Sequence, residues 1–368
     1  MDNKDETLKS EEALPTPSCE PKHIGGERKR IETAIPDGGL TAWLQCASSF
    51  CLFFNCWGIV NTFGVFQTFY QQSLLQNESS SNISWIGSIQ AFLLIFLGII
   101  TGPLFDHGYL HTLLFTGTVL VTFGMMMTSI CNSYWQVVLS QGIVVGIGCG
   151  CLFVPSVAIL PSYFSTRRSL AMGIGASGSS LGGIIYPIIF RKLQPQIGFP
   201  WTTRLIAFIM LATLILPVIL MRTRRKPSSQ WKLVDLAAWR ELPYLLFAIG
   251  LFFTFMGLYI PFFYVQTYVI QQDIMSEDLG FYLLAILNAG SFFGRIVLNH
   301  IADKIGPLNV CIACGIATSV LGFAWIAIEN IGGIIIFSIL YGYVALILVL
   351  FLLNSFLSKH SLHCFKMR

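Results

Sequence analysis

Beyond Pro36 the chain falls into apolar stretches about twenty residues long, the length an α-helix needs to cross a bilayer core. Ten can be placed, at residues 42–68, 83–104, 110–131, 136–160, 169–190, 203–221, 242–265, 279–300, 308–328 and 332–357. In lipid every backbone N–H and C=O must find a partner inside the protein, which leaves only helices and closed barrels. Barrel strands alternate apolar and polar residues, and runs such as Ala91 to Ile100 do not. The predicted fold class is an all-α polytopic membrane protein. Composition agrees, because 11% of the 368 residues are charged against about 25% in soluble domains. That deficit speaks against a soluble enzyme, a nucleic-acid binder or a disordered scaffold.

Residues 1–40 differ from the rest. Up to Ile35 they are rich in Lys, Glu, Pro, Ser and Gly and hold no apolar run, so a disordered cytoplasmic tail is expected. No apolar region follows a basic cluster there, so the first span is expected to act as its own insertion signal. Orientation follows from Lys and Arg. With the N-terminus inside, 18 of the 22 basic residues fall on the cytoplasmic side. Arg191, Lys192 and Arg204 fall outside, and Arg295 lies within a span. The positive-inside rule therefore predicts both termini in the cytoplasm. The two N-x-S/T sequons, at Asn77 and Asn82, fall in a loop this topology places outside, where glycosylation occurs. Asn82 abuts the second span, which makes Asn77 the better acceptor. The cysteines suggest no disulfide framework, since most lie inside spans, where they pack helices.

The longest internal loop follows span six and is basic, which divides the chain into parts. Residues 41–221 are expected to form a six-helix bundle, 222–241 a cytoplasmic loop, 242–358 a four-helix bundle, and 359–368 a cytoplasmic tail. A repeat links the two bundles. Span two ends in Gly102-Pro103-Leu104-Phe105-Asp106-His107-Gly108, and span eight in Asn299-His300-Ile301-Ala302-Asp303-Lys304-Ile305-Gly306. Each sets an Asp at a cytoplasmic helix end before a Gly turn, six spans apart. A carboxylate there can accept from the first amides of the next helix and lock neighbouring helices together.

These turns resemble the cytoplasmic gate motif of the major facilitator superfamily, carried here by Asp106, Asp303, Lys304 and Gly306, with His107 where the family usually has Arg. Further stretches resemble the monocarboxylate-porter family and its fungal branch. They are Pro36-Asp37-Gly38-Gly39 with Trp43, the run Tyr163 to Gly173, Gly198-Phe199-Pro200-Trp201 with Arg204, and Gly294-Arg295 followed by Ala302 to Asn309. The resemblance implies a major facilitator fold of twelve spans in two halves, with substrate at the midplane between them. The chain supplies about ten, six and then four, and the resemblance stops near Gly342, so a C-terminal truncation is expected.

Arg295 is the only charged residue well inside a span, and intramembrane charge is a functional hypothesis by default. Its planar fork matches a carboxylate, and the family's animal members place an Arg in span eight for that purpose. The other reading pairs it with the cytoplasmic gate, because Asp303 lies about two turns away. The family's first-span Lys is replaced near Val60 and Asn61, and its span-eight Asp by Ser291, so proton-coupled lactate transport is not expected. Further cleft candidates are Asn55, Asn61, Tyr186, Tyr259, Tyr264, Asn288 and Ser291, each better suited singly to an interhelical hydrogen bond than to a solute contact. The run Gly175 to Gly183 in span five has the small-residue spacing of close helix packing, with Gly178-Ser179 where the antiporter motif has Gly-Pro.

His107 and His111 have metal-ligand spacing but no third ligand, and no P-loop is present, so neither metal nor other cofactor is expected. The expected protein is therefore not an enzyme. It is a secondary active transporter of a small organic solute, monocarboxylate-like or a fungal secondary metabolite, moved in or out with or without a proton. Its expected partners are that solute and the lipid bilayer, in the plasma membrane, without nucleic acid. The alternative is a truncated non-transporting paralogue or a membrane sensor.

Overall fold

The computed structural model describes residues 37–224, 242–258 and 260–345. Its helices are α1 (Leu40–Leu74), α2 (Ser80–Asp106), α3 (Leu110–Thr128) and α4 (Tyr134–Ser162). A single 53-residue helical run, Arg168–Leu220, follows. At about 1.5 Å per residue it would be some 80 Å long, far beyond the roughly 30 Å of a bilayer core. Gly198, at φ 76° and ψ 163°, divides it into α5 (168–197) and α6 (199–220), and that backbone state is essentially restricted to glycine. Asn55 at mid-α1 bonds both Tyr186 before this point and Thr213 after it, so the chain turns back there.

Leu242–Leu258 and Ile260–Gln271 form α7a and α7b. The remaining helices are α8 (Glu277–Ile305), α9 (Pro307–Ala324) and α10 (Ile331–Ala345). Eight helices among the described residues are long and apolar enough to cross a membrane by length and composition. The described parts of the predicted apolar stretches fall largely on helices; α5 and α6 share one run, and α10 is described for 15 residues, the rest of the stretch 332–357 lying outside the described residues. Tyr259, the segments 1–36 and 225–241, and the chain after Ala345 lie outside the described residues, as do most of both expected tails and of the central loop.

Helix boundaries follow local chemistry. The Ser79 hydroxyl accepts from the Asn82 amide to start α2, and Ser276 accepts from Leu279 to start α8. Pro307 sits in the first turn of α9, where its missing N–H costs nothing. Gly108 after Asp106 and Gly306 after Asp303 share a positive φ, at 92° and 93°, so the two turns read as a repeat share this glycine-favouring angle too.

Two separate apolar cores result. One is built from α1 to α6, with Leu52, Ile59, Phe66, Leu114, Leu152 and Ile206 among its buried residues. The other is built from α7a to α10, with Val265, Leu283, Leu287, Ile334 and Phe337. Large side chains such as Phe92, Phe115, Phe123, Trp135, Phe252 and Phe293 face outward, while Ser, Thr, Asn and Gly populate the inner faces. This distribution suits a protein whose surroundings are as apolar as its side chains, where helices associate through small and polar residues. In the second core α8 and α10 meet backbone to backbone: a Cβ on Gly290 would strike Ile339, one on Gly294 Tyr343, and one on Gly342 Leu287.

Candidate functional site: the α5–α8 seam and the cavity at its far end

The two bundles meet along α5 and α8, which run antiparallel with one contact per helical turn. At one end the Asp303 carboxylate accepts from the Ser169 amide at 2.8 Å and the Leu170 amide at 2.9 Å. These are among the first N–H groups of α5, which have no partner within their own helix and carry its positive dipole end. The carboxylate therefore caps a helix of the other bundle, not the helix that follows it in sequence. Lys304 is exposed in the last turn of α8, a favourable place for a cation. Asp106, its counterpart in the first bundle, ends α2 at the surface.

One turn further in, Gly173 lies against the Arg295 carbonyl and Asn299, with 2.8 Å from a built Cβ to the Asn299 Cβ. Arg295 follows, 8% exposed, its Nη1 donating to the Ala176 carbonyl and the Ser179 hydroxyl. Next, the Ser180 hydroxyl donates to the Ser291 hydroxyl at 3.1 Å. Gly183 then faces Asn288, whose Nδ2 donates to Leu284 and whose buried Oδ1 has no hydrogen-bond partner. At the far end the Arg191 guanidinium stands 4.2 Å over the Phe281 ring. The Gly/Ser-rich run of α5 thus serves two partners. Gly175, Gly178 and Gly182 admit α1 on one face, at Ser49, Phe50, Phe54 and Gly58, while Gly173, Ala176, Ser180 and Gly183 meet α8 on the other.

A cavity of about 420 Å³ opens at the Arg191 end of this seam, between α1, α5, α7b and α8. Thr68, Phe69, Gln72, Arg191, Gln194 and Gln266 are among its lining residues. The seam is polar and closed at the Asp303 end, and hollow at the other.

The sequence-derived candidates separate accordingly. Arg295, Ser291 and Asn288 lie on the seam. Asn61 is half-buried on α1, four residues before the cavity-lining Val65. Tyr186 is fully buried and donates to Asn55 at 2.8 Å, and Asn55 in turn bonds Thr213, so these residues tie α1, α5 and α6 together. Tyr264 is exposed, and Tyr259 lies outside the described residues. Asn77 is exposed in a turn, whereas Asn82 is held in the first turn of α2 by Glu78 at 2.9 Å.

Two elements were not read from the sequence. Arg191 had counted only as an external charge; its position on the α8-facing register of α5 was the available signal. Asp37 had served only as part of a motif. Its carboxylate accepts from the Ser165 and Thr166 amides at 2.6 and 2.7 Å, and Trp43 meets Phe164 edge-on at 5.2 Å. The loop between α4 and α5 is thus held by Asp37, just before α1, and the first turn of α5 that follows it by Asp303 from the other bundle. Burial opposes the Asp37 charge, but the Ser165, Thr166 and Arg167 amides outweigh it and hold the carboxyl below its ordinary 3.8. Because the folded value is the lower one, the contact is present above that ordinary value and lost only as pH falls through the depressed one. Flux measured across about pH 5–8 is therefore expected to follow the same profile in wild type and Asp37→Asn, whatever its level.

Two helical bundles with separate cores, joined along one polar helix pair that is closed at one end and hollow at the other, define a membrane carrier. The chain belongs to the major facilitator superfamily, whose family model matches residues 48–362. It is 47% identical over 307 residues to the MFS-type transporter dbaD of Emericella nidulans, covering 83% of this chain and 69% of that protein. The aspyridones efflux protein apdF of the same fungus is 41% identical over 310 residues, covering 84% of this chain and 63% of that protein. The agnestins efflux protein AgnL12 of Paecilomyces divaricatus is 39% identical over 308 residues, covering 82% and 70%. The solved structure of FucP in its outward conformation has the same fold, with a TM-score of 0.60 at 15% identity, covering 83% of this chain and 82% of that one. The protein is a multi-pass secondary transporter and not an enzyme.

Proposed function

We propose that the protein exports a small organic product across the plasma membrane by alternating access, with both termini in the cytoplasm and the Arg191 end outside. The observation that carries this reading is the α5–α8 seam: it joins two otherwise independent cores, its inner end is locked by Asp303 and Arg295, and its outer end holds the cavity. Rocking one core against the other would break the lock and close the cavity. The direction is supported by the efflux proteins among the relatives, and the sidedness by the clustering of Lys and Arg. The stretches at Pro36–Gly39 and Tyr163–Gly173 support placing the chain near the monocarboxylate porters.

Arg295 acts in this proposal as the lock between bundles. Arg191, Asn61, Asn288 and Ser291 lie along or beside the solute's path. Every Asp and Glu among the described residues lies in a loop or near a helix end, so no carboxylate at the membrane centre is assigned a coupled proton. Uptake of organic solutes into inside-out vesicles, whose outer face is the cytoplasmic one, measured against vesicles lacking the protein, tests the carrier. Saturable flux is expected; a stably inserted protein with no flux of any organic solute would favour the sensor reading. Orientation is tested separately. Asn77 is expected to carry a glycan, seen as a mobility shift removed by endoglycosidase and absent in Asn77→Gln, whereas Asn82→Gln leaves the shift in place.

A further inference from the structure

We propose that the side-chain oxygen of Asn288 selects the solute: the carrier takes organic molecules that bring a hydroxyl or N–H to it and rejects their methylated counterparts. This rests on the reading of the chain as a carrier and names the solute class of that same path. Three observations converge on it.

The first is the orientation of the amide. Asn288 is fully buried on α8, and its Nδ2 donates to the Leu284 carbonyl at 2.9 Å. Reversing the amide would set two acceptors against each other with no proton between them, so the oxygen is the end left over. The second is the state of that oxygen. Oδ1 is buried with no hydrogen-bond partner within the protein. Buried acceptors are nearly always met, because a bare one forfeits its hydration with nothing in return. A leucine of similar size would avoid that loss, so an acceptor here calls for a donor from outside the fold.

The third is the route by which a donor arrives. Leu284 and Ala285, one turn along α8, and Gly183, opposite on α5, all line the cavity. A Cβ built on Gly183 would stand 3.1 Å from Oδ1, so the glycine puts no side chain in front of the oxygen. The next contact inward is the closed Ser180–Ser291 pair. Parting of α5 from α8 at this turn, which rocking requires, uncovers Oδ1 to a solute in the cavity. The volume of about 420 Å³ admits multi-ring organic molecules, and Val65, Phe69 and Leu284 give it apolar walls. A solute hydroxyl or N–H then satisfies Oδ1, whereas a methyl group in the same place shuts water out and leaves it bare.

The test uses the purified full chain in nanodiscs, with empty nanodiscs as blank, and two matched pairs of probes. They are 2-naphthol with 2-methoxynaphthalene, and 2-naphthamide with N,N-dimethyl-2-naphthamide, all uncharged at neutral pH. The donor-bearing member of each pair is expected to bind about tenfold more tightly, the worth of one hydrogen bond to an otherwise unmet acceptor. Asn288→Leu removes the bare oxygen, so the melting temperature without probe should hold or rise while both preferences vanish. A merely structural asparagine would instead lower the melting temperature and leave the preferences in place. The wild-type comparison stands whether or not the variant folds. No saturable naphthol binding, equal binding within the pairs, or preferences that survive Asn288→Leu would overturn the proposal. Protein-dependent flux of the two amides separates the two readings. Equal flux of both overturns the solute class and keeps the carrier. Selective binding of naphthamide with no flux of either keeps the site and overturns the carrier.

Discussion

Replacing Arg295 with glutamine is expected to lower flux at least tenfold while leaving the amount of protein in the membrane unchanged. The guanidinium is buried and bonds the Ala176 carbonyl and the Ser179 hydroxyl of the opposite bundle. Hydrogen bonds to a charged group contribute about 1.5–3 kcal/mol, so their loss shifts the balance between the locked and unlocked seam by roughly ten- to a hundredfold. Folding is spared because the bonds lie between bundles, and each bundle keeps its own core. Ser179→Ala removes one acceptor and should reduce flux by a smaller factor. Lysine keeps the charge but not the planar fork, so Arg295→Lys is expected to recover only part of the activity. Transport assays paired with surface immunoblots check this, and a parallel fall of abundance and flux would give Arg295 a structural role.

The neighbouring residue should behave in the opposite way. Gly294 faces α10, and a Cβ there would stand 2.7 Å from the Tyr343 carbonyl carbon and 2.8 Å from its Cα. These are backbone atoms of a packed helix and cannot swing aside. Gly294→Ala must push α8 and α10 apart, against the equally close contacts at Gly290 and Gly342. Overpacking of this kind costs about 1–3 kcal/mol, and a branched side chain costs more. Gly294→Ala is expected to lower the melting temperature in detergent by several degrees, and Gly294→Val to leave little folded protein in the membrane. Arg295→Gln, one residue along, should do neither. The contrast follows from α8 having two faces, one that holds its own bundle together and one that meets the other bundle.

How far the sequence reaches can be judged on these same helices. Segment positions were legible because lipid forces apolar length on every span, and the described parts of the predicted stretches fall largely on helices. The Asp–Gly repeat was legible too, since a positive-φ glycine is written directly into the chain. The partner of Asp303 was not. Its contacts with Ser169 and Leu170 span more than 130 residues, and nothing local marks which helix comes to meet it. The same holds for Arg191. Its guanidinium is set over Phe281 by the register of the whole seam, which appears only once α5 and α8 are known to face each other. Tyr186 shows the converse limit: a tyrosine in a span suggested a solute contact, but its hydroxyl is taken up by Asn55 inside the first bundle.

The central claim is that the α5–α8 seam must open for transport. Ser180 and Ser291 meet across it with their hydroxyl oxygens 3.1 Å apart, so cysteines at both positions can be joined by oxidation. The decisive measurement is flux by the Ser180→Cys, Ser291→Cys protein before oxidation, after it, and after reduction, with each single variant as control. The prediction is flux in the reduced protein at the level of the single variants, background flux when cross-linked, and recovery of that level on adding reductant. Full flux in the fully cross-linked protein would contradict it.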